Sequence, residues 1–148
     1  MSIFNIRVYA LLINENKEVL ITDEYRFGKE MTKFPGGGLQ WGEGTIDCIK
    51  RECREELNCE IEVLRHFYTT DFFQPAAFYE KQQLISIYYL VKSISSLSIA
   101  IAKDKSELGK IEEAQIFRWV PISRLKEEEV TFPIDKLIVK MLLLQTAN

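Results

Sequence analysis

The chain has 148 residues, 47% hydrophobic and 28% charged, enough apolar material for one proper core, so a single domain over residues 1–148 is expected. A formal net charge of −3 without a long basic run argues against extended nucleic-acid binding through phosphate neutralisation, while leaving a small anionic partner open. Cys48, Cys53 and Cys59 form no CxxC pair, which argues against a zinc site and a disulfide framework and makes them reduced packing residues.

The N-terminal MSIFNIRVYALLI lacks the basic region and small-residue cleavage site of a signal peptide. Its apolar run is too short and too interrupted to span a bilayer, so a cytoplasmic protein with no membrane partner is expected. Residues 3–13 and 18–23 read as strands joined by a hairpin turn at 14–17, and residues 24–33 as a polar loop. A glycine-rich tight turn at 35–38 then leads to a helix that ends near Asn58. Residues 61–73 and 84–91 read as long strands around a loop at 74–83. Leu97, Ile99 and Ile101 alternate with small residues, which predicts a further strand. Residues 115–120 form another, Pro121 starts a short helix, and residues 134–144 give an apolar-striped C-terminal helix. Strands with two such helices fit an α+β sandwich.

The chemistry concentrates in PGGGLQWGEGTIDCIKRECREELNC, residues 35–59. Gly37 is followed after five residues by Glu43, then after seven by Arg51-Glu52, with Cys53 and Arg54 leading to Glu55-Glu56. At ~100° per residue, Glu52, Glu55 and Glu56 share an arc of roughly 100°, and Ile46, Ile49, Cys53 and Leu57 form a separate apolar stripe. Three crowded carboxylates repel one another, a cost that a bound cation removes. Hard oxygen ligands suit Mg²⁺ or Mn²⁺, which take part of their shell from substrate phosphates. The plainer alternative is an amphipathic helix with a solvated glutamate face and an i,i+4 pair between Arg51 and Glu55.

This stretch resembles the Nudix box, GX5EX7REUXEEXGU with U a bulky aliphatic residue, at its first glycine and at every charged position. Cys53 and Cys59 stand where the pattern has aliphatic residues, and Asn58 replaces its second glycine. These departures bear on packing and helix termination, since cysteine packs as a small hydrophobe and Asn tolerates a left-handed helix end. The resemblance implies the Nudix fold, a mixed β-sheet between the box helix and a C-terminal helix (an α/β/α sandwich). It implies Glu52, Glu55 and Glu56 as metal ligands and, with Arg51, as the catalytic set, Arg51 and Glu43 orienting the loop and helix rather than touching substrate, and a backbone carbonyl at Gly37 joining the metal. A loop glutamate often completes the shell in this family; Glu112 and Glu113 are the candidates, Glu113 being preferred.

The implied reaction is metal-dependent hydrolysis of the diphosphate bond in a nucleoside diphosphate linked to another moiety, with Mg²⁺ or Mn²⁺ as cofactor. Tyr25-Arg26 resembles a segment of ADP-ribose hydrolases, and Pro75 lies 16 positions beyond Cys59, near where that subgroup carries a proline. Phe27, Trp41, Phe72 and Phe73 are available to stack a planar group, so Arg26 and Phe73 are the substrate-binding candidates. His66, the one histidine, falls in a predicted strand and reads as structural. Alternatives are a nucleoside triphosphate pyrophosphatase that cleans up non-standard nucleotides and a non-catalytic sensor of a nucleotide ligand. Dimers are common in the family, so a homodimer is among the implied states.

Overall fold

The apolar run near the N-terminus forms β1 (Ile3–Leu12), and Asn14 shapes the turn after it, its side-chain oxygen accepting from the backbone N–H of Asn16 and of Glu18. Lys17 completes the turn at a left-handed φ of 58°. The remaining elements are β2 (Glu18–Arg26), β3 (Lys29–Lys33), β4 (Gly36–Gly38), α1 (Thr45–Leu57), β5 (Ile61–Thr69), β6 (Gln82–Ser93), β7 (Ala114–Pro121) and α2 (Pro133–Thr146). The computed structural model describes residues 3–146. The chain divides into two compact units: the first takes the chain up to Leu11 with Gly36–Leu97, the second Leu12–Pro35 with everything from Ser98. The hairpin turn expected at 14–17 forms, closed by the Asn14 N–H on the Glu18 carbonyl at 3.0 Å, but it is not extended into a ladder. Ile13 makes one bridge to Val19, and β1 and β2 then enter different sheets.

In the first unit the strand order is β4-β1-β6-β5. The glycine turn expected at 35–38 is instead the edge strand β4, antiparallel to β1 with Gly38 opposite Arg7, Gly37 opposite Val8 and Gly36 opposite Tyr9. A Cβ on Gly36 would run into the Val8 carbonyl and come within 2.8 Å of the Tyr9 Cα, so only glycine lets the strands approach this closely. β5 and β6 pair antiparallel with irregularities between Val63 and Arg65 and between His66 and Tyr68. Tyr9 and Tyr88 stack with ring centroids 5.1 Å apart. α1 buries Cys48, Ile49, Cys53 and Leu57, whereas Ile46, assigned to the stripe from periodicity, is exposed. Its angular position is right, but it belongs to the first turn, where the helix end projects into solvent.

In the second unit the strand order is β3-β2-β7, all antiparallel. Residues 24–33 are therefore not a loop. β2 and β3 form a hairpin whose two-residue turn, Phe27-Gly28, has φ values of 54° and 71°, the geometry that continues the right-handed twist of a hairpin. The strand expected around Leu97–Ile101 is also absent, because alternation needs an edge to pair with. The free edge of β7 gives it only a parallel bridge from Ile101 to Phe117, with the Ala102 N–H donating to the Phe117 carbonyl at 2.7 Å. Single-turn 3-10 helices at Ile122–Arg124 and Glu127–Glu129 precede α2, and the Lys136 ammonium donates to the Glu127 and Val130 carbonyls at 2.9 and 2.7 Å. α2 buries Ile134, Ile138, Val139 and Leu142. Among the described residues, no helix is long and apolar enough to cross a membrane. The expected α+β class is met, with two helices and two sheets.

Candidate active site

The box folds as edge strand, turn and helix within the first unit. Gly44 caps α1 with extended backbone, and its N–H donates to the Asp47 carboxylate at 3.1 Å, which also places an acidic group in the first turn where the helix dipole favours it. At the other end Asn58 takes φ 47° and ψ 45°. Its N–H donates to the Arg54 carbonyl, and the Cys59 N–H reaches back to the Cys53 carbonyl, so asparagine does the work expected of the family's glycine. Between these caps, α1 carries every charged residue of the box that follows Glu43.

Arg51 is the hub. Its Nε and Nη2 donate to the two oxygens of Glu43 at 2.9 and 2.7 Å, Nη1 donates to Glu52 at 2.9 Å and to Glu55 at 3.1 Å, and Nη2 also reaches the Gly38 carbonyl at 3.0 Å. The planar guanidinium thus ties the turn before the helix, the end of β4 and two glutamates into one object, which a lysine could not do. The Arg51 hydrogen bond lowers the Glu43 pKa to about 2, and Arg51 is in turn pushed further above its usual value, first by Glu43. Cys48 lies beneath this cluster, its thiol within 3.6 Å of the Gly38 carbonyl and of Arg51 Nη2. Burial, reinforced by Glu43, pushes that thiol up to about 12, so it stays protonated at neutral pH.

The Glu52 carboxylate rests against Gly37, where a Cβ would collide with it. Glu55 extends into solvent and Glu56 is half-buried. The donor set is entirely oxygen, and the space at residue 37 is kept free for a carboxylate, both of which fit a hard divalent cation. Among the described residues no group of three His, Cys, Asp or Glu side chains is placed to hold a metal ion, and Arg51 holds one oxygen each of Glu52 and Glu55. Gly37, Arg51, Glu52, Glu55 and Glu56 thus lie in one unit, the first four linked through Glu52 and Arg51. Arg26 and Glu113 belong to the other.

There, Arg26 ends β2 with its guanidinium 5.4 Å from the Phe27 ring centroid. Glu113 has φ 70° and donates its N–H to the Tyr25 carbonyl at 2.8 Å. Glu112 is committed elsewhere: its carboxylate accepts from the N–H groups of Phe27 and Gly28 at 3.0 and 3.2 Å and so fastens the hairpin turn. Phe73 is exposed in the first unit and lines a 510 Å³ cleft with Pro75, Phe78 and Tyr79. His66 is exposed, its Nε2 2.7 Å from the Thr69 hydroxyl. Sequence reasoning missed a buried charged network on β2. Asp23, fully buried, accepts from Thr32 and from Arg118 Nε at 2.5 and 2.6 Å, and Glu24 accepts from Gln115 at 2.9 Å and pairs with Lys33 at 3.3 Å. The signal was present as an acidic pair closing the apolar run VLIT.

A family model described as NUDIX domain matches residues 4–141. No curated protein matches the chain. Among solved structures, the E. coli ORF135 protein superposes with a TM-score of 0.74 at 16% identity, over 99% of this chain and 94% of that one. A MutT protein from Methanosarcina mazei gives 0.71 at 16% identity, over 99% and 98% of the two chains. An ADP-ribose pyrophosphatase from Streptococcus suis gives 0.61 at 14% identity, over 97% and 92%. At these identities the superpositions speak for the fold alone, whereas the family model spans nearly the whole chain. The chain belongs to the Nudix family of pyrophosphohydrolases, whose members generally use divalent metal ions.

Proposed function

We propose that this chain hydrolyses the diphosphate bond of a nucleoside diphosphate linked to another moiety, of the ADP-ribose kind, with Mg²⁺ or Mn²⁺ held by Glu52, Glu55 and Glu56 and by the Gly37 carbonyl. The observation that carries this reading is the Glu52 carboxylate seated against Gly37 and tied through Arg51 to Glu43, Glu55 and the Gly38 carbonyl. A bound divalent cation supplies charge neutralisation at phosphoryl oxygens and a more acidic water. The chain's own residues supply the rest. Arg51 positions Glu52 and Glu55, Glu43 fixes Arg51, and a box glutamate accepts the proton of the attacking water, so that catalysis rests on positioning and electrostatics.

Tyr25-Arg26 and Pro75 support the ADP-ribose-like class, with Arg26 and Phe73 as substrate contacts. The span of the family match, which takes in residues of both units, supports reading the whole chain as one domain. Three free, buried cysteines support a reducing compartment, the cytoplasm. The deciding experiment incubates the protein with Mg²⁺ or Mn²⁺ and a panel of ADP-ribose, nucleotide sugars, dinucleoside polyphosphates, NADH and nucleoside triphosphates, and identifies the products. AMP with ribose 5-phosphate supports the reading; monophosphate with pyrophosphate replaces it by a triphosphate pyrophosphatase. Glu56→Gln should lower turnover by orders of magnitude with the fold intact, and near-normal activity in that variant sinks the ligand assignment. The same substitution at Glu113 tests whether a loop carboxylate takes part. Metal binding without turnover on any member of the panel would leave a sensor.

A further inference from the structure

The box turn has a second side that its chemistry does not use. Between Glu43 and Gly38 the chain carries Leu39, Gln40, Trp41 and Gly42, and this turn faces the start of β1 across a cleft of 790 Å³, within the size range of small-molecule sites. Trp41 is fully exposed, and Phe4 and Tyr79 in the same cleft are more than half exposed. One exposed apolar residue needs no explanation, but three aromatic side chains gathered on one concavity mark a place where something docks.

The polar lining narrows what that is. Asn5, Gln40 and Gln82 contribute neutral amides, each offering donors and an acceptor, and Arg7 contributes a cation. Aromatic faces combined with amide edges match a planar heterocycle whose rim carries donors and acceptors, and they suit neither a hydrocarbon nor a polyanion. Glu43 lines the cleft and is also the carboxylate that grips Arg51, so the cleft adjoins the ion-pair cluster through one shared residue.

We infer that this cleft receives the nucleobase of the substrate, with Trp41 stacking on it and Asn5, Gln40 and Gln82 reading its edge. The inference rests on the hydrolase reading for the word substrate, but not for the binding itself. Stacking of a base on an aromatic side chain strengthens binding by about tenfold, so Trp41→Ala should raise KM for a nucleotide substrate by that factor.

The chain has two tryptophans, so Trp119→Phe leaves Trp41 as sole reporter. In that background with chelator present, AMP should quench the fluorescence saturably, and ribose 5-phosphate and inorganic pyrophosphate should not. Mn²⁺ affinity, read by electron paramagnetic resonance, should be the same in Trp41→Ala as in the wild type. Absence of AMP quenching, together with an unchanged KM in Trp41→Ala, overturns the inference while leaving hydrolysis intact. Saturable quenching in a protein that hydrolyses nothing on the panel upholds the cleft and removes the hydrolase reading. Concentration-dependent dimerisation by sedimentation that Trp41→Ala abolishes, without any AMP effect, overturns it in favour of a contact between two copies of the chain.

Discussion

The carboxylate of Glu52 occupies the space that any side chain at residue 37 would need. Because the obstacle is the far end of a flexible side chain, Gly37→Ala should leave the melting temperature nearly unchanged and displace Glu52. Mn²⁺ affinity and turnover should then fall by about two orders of magnitude, the scale of losing a metal-positioning contact. Gly36→Ala differs, since its Cβ meets the backbone of Val8 and Tyr9. That variant should lose about 2 kcal/mol in urea unfolding, the usual range for overpacking. Equal stability of the two variants would remove the distinction.

The pairing of Glu43 with Arg51 should be visible in acid. The Glu43 pKa lies at about 2 in the fold, against 4.5 as the ordinary value. A depressed carboxylate contributes stability that is fully present above its unfolded pKa and is lost as pH falls through its folded one. The wild type should therefore lose stability between pH 4.5 and about 2, and Arg51→Met should show a shallower decline over that window when urea midpoints are followed by circular dichroism. An identical acid limb in both proteins would mean that the pair is not formed in solution.

The thiols give a prediction at the opposite end of the scale. Burial pushes both Cys48 and Cys53 up to about 12, and Cys59 is raised as well. At pH 8 a thiol reagent should label the native protein only as fast as it opens, and all three cysteines promptly in denaturant. Stability should hold below the unfolded thiol pKa of 9.0 and decline as pH rises from there towards 12. Fast labelling of Cys48 or Cys53 in the folded protein would contradict the burial of the α1 stripe.

Asn58 holds the left-handed position that ends α1. Asn58→Gly, which restores the family pattern, should raise stability by about 0.5–1 kcal/mol, and Asn58→Ala should lower it by about 1 kcal/mol. Urea unfolding measures both, and activity should be unaffected by the glycine variant.

The charged box was legible because its interactions are local. Arg51, Glu52 and Glu55 are neighbours through helix geometry alone, and Glu43 is delivered to them by a turn of fixed length. Asn58 was legible for the same reason. What the sequence hid were decisions made by distant partners. Residues 24–33 looked polar and loop-like because Phe27 is an unexpected residue at φ 54°, and what completes the turn is Glu112, 85 residues away. Ile99 and Ile101 had strand alternation, but β7 offered only one bridge to them. Cys48 reads as a packing residue by its type but not as part of the helical stripe, where the structure seats it in place of Ile46 with its thiol 3.6 Å from the Gly38 carbonyl.

Arg51 also sets when the site is assembled. A zinc finger stays unstructured until its ion arrives, because the free energy of binding that ion is what folds it. Here a guanidinium encoded in the same helix already pairs with Glu43, Glu52 and Glu55 and offsets part of their charge, so the segment is tied together without waiting for an ion. Chelated protein should remain folded and idle. Ion supply would then govern how much of a standing stock is switched on, and would leave the amount of folded protein as it was.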